Sequence, residues 1–507
     1  MKIMRHLGSG AALIGGLGLL HFAGGCALVV GADFSERQGG EGAGGPLPLP
    51  PPEPCTQDCL ATPVKGTSWG NADTQDEARV AVSTTGDVFV ALNARGAIDY
   101  GGGPMGEPNE RSIHVVKLDV SLGHVWSHHL SGSGDYRVTD LEAIADGAVV
   151  IVGDYKQGID IAGQHLENED GLFTDLWEGF IAVLDADGEP IWTEALRGEG
   201  QSWIHSLAVG PDGSLILVGE FSGYIDLDSA LSAGFAESFF VIKLDSEGKK
   251  VWAHAININP TQPVAVDVGP DGEVVLAGGF KGEIDFDGDS DAPVSSQGGH
   301  ANGFLVALDA GSGEHRWHHL FQTDAVFQPK DVIVESNRRV LMTGTFSGDN
   351  VGFGADLTQS ARGQDVFLAA YALDEGTPAW VVTYGGDADD EGLRLVTDRA
   401  GGVLLCGSLM GEITLPDEDE TRLEHLDGKD GFVIKLGPST EEGPGALIWA
   451  SSLRGPVEQV ALDVATSPLD QQAYVVGHMD SSFPVEGLER PLAHGGGRDV
   501  WLLGFEP

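Results

Sequence analysis

The sequence predicts an all-β fold, a β-propeller of seven four-stranded blades, on the strength of three observations. A tryptophan recurs at spacings of 57, 66, 60, 65, 63 and 69 residues, each time three or four residues after a glycine. From the second tryptophan onward, an apolar run ends in a glycine 26 to 28 residues further on. The two ends of the folded region each carry an incomplete unit. The recurring tryptophans are Trp69, Trp126, Trp192, Trp252, Trp317, Trp380 and Trp449.

One repeat unit shows how four strands follow from the residues. In the third unit, "IHSLAVG" is a first strand, and "PDG" turns the chain because Pro suits an early turn position and Gly tolerates positive φ. "SLILVGEF" is the second strand, a long variable loop follows, and "SFFVIKLD" is the third strand. A turn containing glycine leads to the fourth strand, "KVWAHAI". Short β-rich segments between turn residues, with no helical period, indicate an all-β chain.

The chain ends predict how the propeller closes into a ring. The sequence finishes on "GGRDVWLLGFEP", which has the pattern of a third strand with no fourth strand after it. The folded region starts on "KGTSWG" at 65–70, a fourth strand with no third strand before it. We expect the N-terminal strand to complete the last blade, because a closed ring removes the exposed sheet edges that template aggregation. An open solenoid is the alternative, and it would carry whole capping repeats at its ends.

The first residues predict export and a membrane anchor. Residues 1–25 combine a basic start, an apolar stretch and small residues before Cys26, and they resemble a bacterial lipoprotein signal peptide. The resemblance implies a lipid on Cys26 and a location in the bacterial outer membrane or at the cell surface. Ordinary cleavage near Ala32 is the alternative, because Ala23 stands where this signal usually has leucine.

Residues 26–63 predict a flexible tether, and we place the propeller at 64–507. From residue 35 the tether is rich in Gly and Pro and nearly free of large apolar side chains, so burial cannot offset the entropy of ordering it. Within the tether, "CTQDC" places Cys55 and Cys59 four residues apart. We expect a local disulfide between them, because an exported chain lies in an oxidising compartment.

The charge of the chain excludes several kinds of partner. The sequence has 28 Lys and Arg against 77 Asp and Glu, a formal net charge of −49. This balance argues against binding nucleic acid, whose phosphates need clustered cations, and against docking on anionic lipids through a basic face. It favours solubility, cation binding and basic partners. We expect a monomer.

The stretch most suggestive of a metal site is "DFDGDSD", which places Asp285, Asp287, Asp289 and Asp291 at alternating positions. Carboxylates arranged around a glycine can wrap Ca²⁺, which takes six to eight oxygen ligands. The spacing is not that of an EF-hand, and Asp285 recurs at the same place in other units. A solvated acidic loop is therefore the alternative to a calcium site, and the fold requires no cofactor.

No pattern in the sequence indicates a catalytic centre. It has no Gly-x-Ser-x-Gly elbow in a strand-to-helix context and no phosphate-binding loop of the Walker type. We therefore expect a non-enzymatic binding scaffold for a protein or glycan partner. The long loops between the second and third strands would form its binding rim, where Phe173, Trp177 and Phe235 are the aromatic candidates.

Stretches such as "GKDGFVIKLG", "GQDVFLAAYALD" and "ESFFVIKLDSEGKKVWAHAI" resemble the bacterial β-propeller repeats of the SBBP type, found in exported and surface proteins. The resemblance covers 64–507; it implies an envelope propeller and brings no catalytic residues. "ALDAGSGEHRW" is similar to repeats of quinoprotein-like propellers, which include quinone-dependent dehydrogenases and an outer-membrane assembly lipoprotein.

The alternatives to a binding scaffold are therefore an envelope enzyme, quinoprotein-like or glycan-active, and an outer-membrane assembly scaffold. The central channel distinguishes an enzyme from an inert ring. An enzyme should gather Arg, His or carboxylate side chains there, whereas an inert ring should present small and apolar ones.

Overall fold

The computed structural model describes residues 54–55, 59–168, 175–227, 230–233, 237–256, 259–261, 263–284, 286, 294–295, 302–417 and 420–507. Within these ranges the chain is all-β, as the sequence predicts, and its one helical turn is the 3-10 turn Ala145–Gly147. No helix in the described ranges is long and apolar enough to cross a membrane. Antiparallel sheets of four main strands repeat along the chain. We number the main strands β1 to β28 and name the sheets A to G.

The main strands follow one another in chain order. The first is β1 (Lys65–Trp69). Sheet A contains β2 (Asp76–Val82), β3 (Val88–Arg95), β4 (Arg111–Leu118) and β5 (His124–Gly132). Sheet B contains β6 (Tyr136–Ala143), β7 (Val149–Tyr155), β8 (Glu178–Leu184) and β9 (Pro190–Ala195). Sheet C contains β10 (Ser202–Val209), β11 (Leu215–Phe221), β12 (Ser238–Leu244) and β13 (Lys250–Ile256).

The remaining sheets repeat this order. Sheet D contains β14 (Ala265–Val268), β15 (Val274–Lys281), β16 (Asn302–Leu308) and β17 (His315–Phe321). Sheet E contains β18 (Phe327–Glu335), β19 (Arg339–Gly352), β20 (Thr358–Ala372) and β21 (Pro378–Tyr384). Sheet F contains β22 (Glu391–Thr397), β23 (Gly402–Leu409), β24 (Asp430–Pro438) and β25 (Leu447–Leu453). Sheet G contains β26 (Gln459–Thr466), β27 (Ala473–Met479), β28 (Asp499–Phe505) and β1.

Short strands decorate the loops between these elements. They are Ile98–Asp99, Pro104–Met105, Gly158–Ile161, Gln164–Glu167, Gly198–Glu199, Tyr224–Asp226, Ala230–Ser232, Asn259–Pro260, Glu283–Ile284, Val294–Ser295, Ile413–Thr414 and Arg422–Leu423. Most of them lie between a second and a third main strand, in the loops that the sequence predicts as the binding rim. The hairpin formed by Gly158–Ile161 and Gln164–Glu167 belongs to the loop of sheet B but pairs with β5 of sheet A.

Sheet G is built from both ends of the described chain. β1 pairs antiparallel with β28, and Ser68 stands opposite Trp501. From the same strand, Lys65 Nζ donates a hydrogen bond of 2.6 Å to the carbonyl of Val120, in the turn between the third and fourth strands of sheet A. The first strand therefore contributes to sheet G and also contacts sheet A.

The sheets pack face to face in chain order, in a propeller-like manner. The first strands of neighbouring sheets contact one another from β2 through β6, β10, β14, β18, β22 and β26, and β26 contacts β2. Apolar clusters fill the spaces between sheets; one of them joins Phe89 of sheet A to Phe180 of sheet B. Every residue of β7 and β27 is buried. Sheets covered on both faces explain why the second strands are apolar throughout instead of alternating.

The recurring glycine and tryptophan form a contact between neighbouring sheets. Trp126 in β5 donates its indole N–H to the carbonyl of Ala186, 3.0 Å away in the turn between β8 and β9. The glycine of that turn, Gly188, lies against the ring, and a Cβ there would stand 3.1 Å from two indole atoms. The same indole-to-carbonyl bond joins Trp192 to Ser246, Trp252 to Ala310, Trp317 to Leu373 and Trp380 to Thr440.

Trp449 in β25 is the exception to this pattern. Sheet G has no turn between its third and fourth strands, because β28 and β1 come from opposite ends of the described chain. The indole N–H of Trp449 accordingly has no hydrogen-bond partner among the described residues. Its ring instead stacks on Phe505, with 5.2 Å between the ring centroids.

Replacing Gly376 with alanine tests the glycine–tryptophan contact. Gly376 has a φ of 67°, and a Cβ there would lie 2.6 Å from the ring of Trp317. We expect Gly376→Ala to lower the free energy of unfolding, measured by urea denaturation, by about 2–4 kcal/mol, because positive φ and overpacking add. At Gly443 a new Cβ meets nothing within 4 Å, so Gly443→Ala should change the value by less than about 0.5 kcal/mol. If the two substitutions changed the free energy of unfolding equally, the contact between Gly376 and Trp317 would not contribute to stability.

Candidate functional site

The first strands enclose a cavity of about 580 Å³, which we call the first-strand cavity. Residues of β2, β6, β10, β14, β18, β22 and β26 line it. Most of the lining is aliphatic, and its charged members are Asp140, Glu142, Asp267, Asp331, Arg394 and Asp463. Small-molecule sites commonly have this size and combine apolar walls with a few convergent polar groups. The cavity is therefore the candidate functional site.

A β-bulge marks one position in most of the first strands. The pairing register shifts just before this position in β2, β6, β10, β18, β22 and β26. A bulge places an extra residue in one strand and re-aims the side chain beside it. The residues after the shifts are Arg79, Asp140, Ser206, Asp331, Arg394 and Asp463. All of them except Arg79 line the cavity.

Arg394 is the centre of an ion-pair cluster in the cavity. Its Nη1 lies 3.6 Å from Asp331 Oδ1, its Nη2 3.8 Å from Asp140 Oδ1, and its Nε 3.8 Å from Asp463 Oδ1. The aspartates come from sheets E, B and G, so one guanidinium links sheet F to three other sheets. Burial lowers the pKa of Arg394, but the three carboxylates outweigh burial and raise it. Arg394 is therefore a permanent cation among three acids.

Each of the three aspartates also binds the neighbouring sheet through its other oxygen. The bonds are Leu207 N to Asp140 Oδ2 at 2.9 Å, Leu395 N to Asp331 Oδ2 at 2.7 Å, and Val80 N to Asp463 Oδ2 at 3.0 Å. Burial raises the pKa of Asp331 to about 7, against the lowering effects of Arg394 and of the bond from Leu395. The aspartates thus act as links between sheets as well as partners of Arg394.

Trp177, predicted at the binding rim, is half-buried beside two cations. Its ring centroid lies 5.3 Å from Arg137 Cζ and 4.8 Å from Lys156 Nζ, distances at which cations are attracted to an aromatic ring. Arg137 also pairs with buried Asp154, at 2.6 Å between Nε and Oδ2. Two cations therefore contact the aromatic ring, and one of them is paired with a buried acid.

Cys55 and Cys59 are joined by a disulfide. The segment around them runs beside β25: Cys55 N donates to the carbonyl of Leu447 at 3.0 Å, and Ala61 N donates to that of Ala450 at 2.7 Å. Cys59 is buried in the apolar cluster of sheets E and F. The part of the predicted tether that the structure describes is therefore held against the outer strand of sheet F.

Several predicted site residues lie outside the described ranges and stay predictions. They are the lipidation site Cys26, the rim aromatics Phe173 and Phe235, and the calcium candidates Asp285, Asp287, Asp289 and Asp291. Among the residues that the structure does describe, no group of three or more His, Cys, Asp or Glu side chains could hold a metal ion.

A second set of buried acids lies between sheets E and F. Asp390 Oδ1 accepts a hydrogen bond of 3.0 Å from Met410 N. Asp390 Oδ2 and Asp365 Oδ1 are buried without a hydrogen-bond partner in the described part of the chain. Burial raises the pKa of Asp365 to about 6 and that of Asp390 to about 7, and nearby carboxylates add to the shift. Both groups therefore hold their protons far more tightly in the folded chain than in the unfolded one.

Asp390→Asn should stabilise the protein at pH 8 by about 1–3 kcal/mol and change little at pH 4. A carboxyl whose folded pKa is raised costs stability as pH climbs from the unfolded pKa near 4 toward the folded pKa near 7, and Asn removes that cost. Urea denaturation at both pH values measures the difference. Asp356 is exposed, so Asp356→Asn should be neutral at both pH values. A gain from Asp390→Asn that is equal at pH 4 and pH 8 would contradict the assignment.

No protein-family model and no curated protein matches the chain, so the resemblance to SBBP-type repeats stays a prediction. Solved structures that it resembles include the WD40 domain of Neurospora crassa Pan2, at 7% identity over 87% of this chain and 96% of that one, with a TM-score of 0.41. Another is BamB from Moraxella catarrhalis, at 11% identity over 90% of this chain and 97% of that one, with a TM-score of 0.34. A third is quinohemoprotein alcohol dehydrogenase from Comamonas testosteroni, at 13% identity over 86% of this chain and 76% of that one, with a TM-score of 0.37. Because these TM-scores are below 0.5, we infer nothing about this chain from the likenesses.

Proposed function

We propose that the chain is a non-enzymatic binding scaffold of the bacterial envelope. In this proposal a lipid on Cys26 anchors a closed, seven-bladed β-propeller in the outer membrane or at the cell surface. The loops between second and third strands present a rim to a protein or glycan partner, and Trp177 with its two neighbouring cations is the described part of that rim. A rigid strand framework that carries variable loops suits binding.

Contacts at both ends of the chain support the closed ring. The pairing of β1 with β28 gives sheet G its fourth strand, and the contact of β26 with β2 connects sheet G to sheet A. Asp463 accepts its hydrogen bond from Val80 across the same boundary. Trp449 lacks the turn carbonyl that the five preceding recurring tryptophans bind, as expected where a blade is assembled from two chain ends. In this proposal each of the sheets A to G is one blade of the propeller.

The observation that carries binding over catalysis is how the cavity aspartates are engaged. Asp140, Asp331 and Asp463 each accept a main-chain N–H from the next sheet and lie near Arg394. A general acid or base has to reach the proton that it transfers and to exchange it freely. Carboxylates that hold sheets together are poorly placed for that work.

One observation favours an envelope enzyme as the second candidate. The first-strand cavity gathers one guanidinium and five carboxyl groups, counted from its charged lining residues. This is the convergence expected for a catalytic channel and differs from the small, apolar lining expected for an inert ring. Turnover of envelope glycans or of a quinone-coupled substrate by the purified chain, abolished by Glu142→Gln, would establish the enzyme instead.

A pull-down from envelope extracts and a glycan array, both with the full chain, test the binding proposal. We expect Trp177→Ala to reduce the retained partner by about tenfold or more, as for an aromatic hot spot. Val125 is 48% exposed on β5 outside the rim, so Val125→Ala should leave retention unchanged. Loss of the partner on calcium chelation would further support the acidic loop at 285–291. If Trp177→Ala and Val125→Ala retained the partner equally, the result would contradict the loop rim as the binding surface. Recovery of β-barrel assembly proteins would indicate that the chain is an outer-membrane assembly scaffold.

A further inference from the structure

Two carboxyl groups line the first-strand cavity apart from the Arg394 cluster. Glu142 in β6 stands two residues before the turn that ends in Gly147, and Asp267 in β14 stands two residues before the "GPDG" turn of sheet D. By the same count, Ala208 is the equivalent residue on the intervening strand β10. All three line the cavity. Two acids thus occupy one level of the cavity, with a small residue between them.

The two acids differ in how far the protein satisfies them. Asp267 Oδ2 accepts a hydrogen bond of 2.6 Å from Val334 N, and its Oδ1 accepts one of 2.7 Å from Val268 N. Glu142 is half-buried and accepts no hydrogen bond from any described residue, and no described cation lies within ion-pair distance of it. A carboxyl taken from water without such a partner is costly unless a ligand or a proton compensates it.

The charged groups that line the cavity favour a positively charged ligand. Five carboxyl groups and one guanidinium line the cavity. The guanidinium of Arg394 already lies within 4 Å of three aspartates, so an anion approaching it would meet their repulsion. A metal ion is disfavoured too, since no three acidic, His or Cys side chains in the described ranges could hold one. The remaining charged ligand is an organic cation.

The shape of the cavity agrees with an organic ligand. The level of Glu142 and Asp267 is completed by aliphatic side chains, among them Ala81, Ile333 and Val396. The volume of about 580 Å³ is of the size that small-molecule sites have. We propose that the first-strand cavity binds a small amine with a hydrocarbon body, its ammonium group at Glu142 and Asp267 and its body against the aliphatic walls.

The proposal carries a proton linkage. Burial raises the pKa of Glu142 well above its ordinary value, the charges of Asp140, Asp463 and Asp267 add to the shift, and Arg394 opposes it. Without ligand, Glu142 therefore holds its proton more tightly than an exposed glutamate does. When an ammonium group binds, the carboxyl proton passes to the buffer and the carboxylate accepts an N–H of the ligand. The affinity of the cavity for the amine should therefore rise with pH, and binding of the amine should release a proton.

Calorimetry with n-hexylammonium chloride and the full chain tests the site, with 1-hexanol as the uncharged probe. We expect the amine to bind about tenfold or more tightly than the alcohol, as for a charge-assisted hydrogen bond. Its binding enthalpy should vary with the ionisation enthalpy of the buffer. Glu142→Gln should lower the affinity for the amine by a similar factor, and the binding enthalpy should no longer depend on the buffer. Glu441 is exposed, so Glu441→Gln should change neither result.

Ala208→Leu provides a second variant that keeps every charge and fills the space between the acids. This substitution should lower the affinity for the amine and for the alcohol by similar factors. Circular dichroism checks that each variant is folded. Equal affinity for amine and alcohol, unchanged binding by Glu142→Gln, or no detectable binding of the amine would each overturn the proposal. Because neither probe nor variant touches the loop rim, these results are independent of the proposed rim partner.

Discussion

Arg394→Met should lower the free energy of unfolding by about 3–5 kcal/mol at pH 8, the loss typical of removing one partner from a buried ion pair. Arg394 is the cation shared by Asp140, Asp331 and Asp463, at 3.6 to 3.8 Å. Without it, three largely buried carboxylates repel one another in a poorly solvated space. The same substitution removes the link between sheet F and sheets B, E and G. Urea denaturation measures the loss.

The loss should shrink as the pH falls. The pKa of Asp331 is already raised to about 7 and that of Asp463 is raised, in both cases by burial against the opposing effect of Arg394. Removing Arg394 raises these folded pKa values further, so the two carboxyls take up protons more readily as the pH falls from 8 to 5 and the repulsion weakens. Arg490 is exposed, and Arg490→Met should cost less than about 0.5 kcal/mol at either pH. A loss from Arg394→Met that does not depend on pH would show that the cluster is not held by charge.

Trp69→Ala should lower the free energy of unfolding by about 3–5 kcal/mol, the cost typical of removing a buried aromatic side chain. Trp69 is 7% exposed although it lies in the first strand of the described chain. It packs with residues of sheets A and G, and its ring centroid is 5.5 Å from that of Tyr100 in sheet A. The substitution would therefore weaken the packing between sheet A and sheet G.

Trp192 supplies the matched control for this substitution. It also lies in a fourth strand, but it is half-buried, and its Nε1 lies 3.4 Å from the carbonyl of Ser246 in a turn of the next sheet. We expect Trp192→Ala to cost clearly less than Trp69→Ala in the same denaturation experiment. If Trp69→Ala were the milder of the two, the first strand would not be part of the folded core.

The repeat pattern predicts much of the fold because it records contacts that recur from sheet to sheet. In four successive units the tryptophan packs against the turn glycine of the next unit, as Trp126 packs against Gly188, so both residues recur. The four strands expected in the third unit are the observed β10 to β13. The chain ends, one with a single strand and the other with three, likewise predict the pairing of β1 with β28.

The first-strand cavity could not be predicted in the same way. Its bulge position carries arginine in two sheets, aspartate in three and serine in one, so aligning the repeats shows no common residue there. Arg394 pairs with acids on three other sheets, about 60 to 250 residues away in sequence, so the sequence of its own unit does not reveal them. In a chain with 77 acidic residues, the aspartates of the cluster also do not stand out.

A distance measurement between the two chain ends tests closure most directly. Val64 N donates a 2.8 Å hydrogen bond to the carbonyl of Gly504, so nitroxide labels on Val64→Cys and Glu506→Cys should lie on neighbouring strands. Pulsed electron resonance on the full chain with Cys26→Ser, in which buried Cys406 does not react, should give one distance below about 25 Å, since paired strands are about 5 Å apart. An open stack of seven sheets about 10 Å apart would give about 60 Å instead, and that result would contradict the closed propeller.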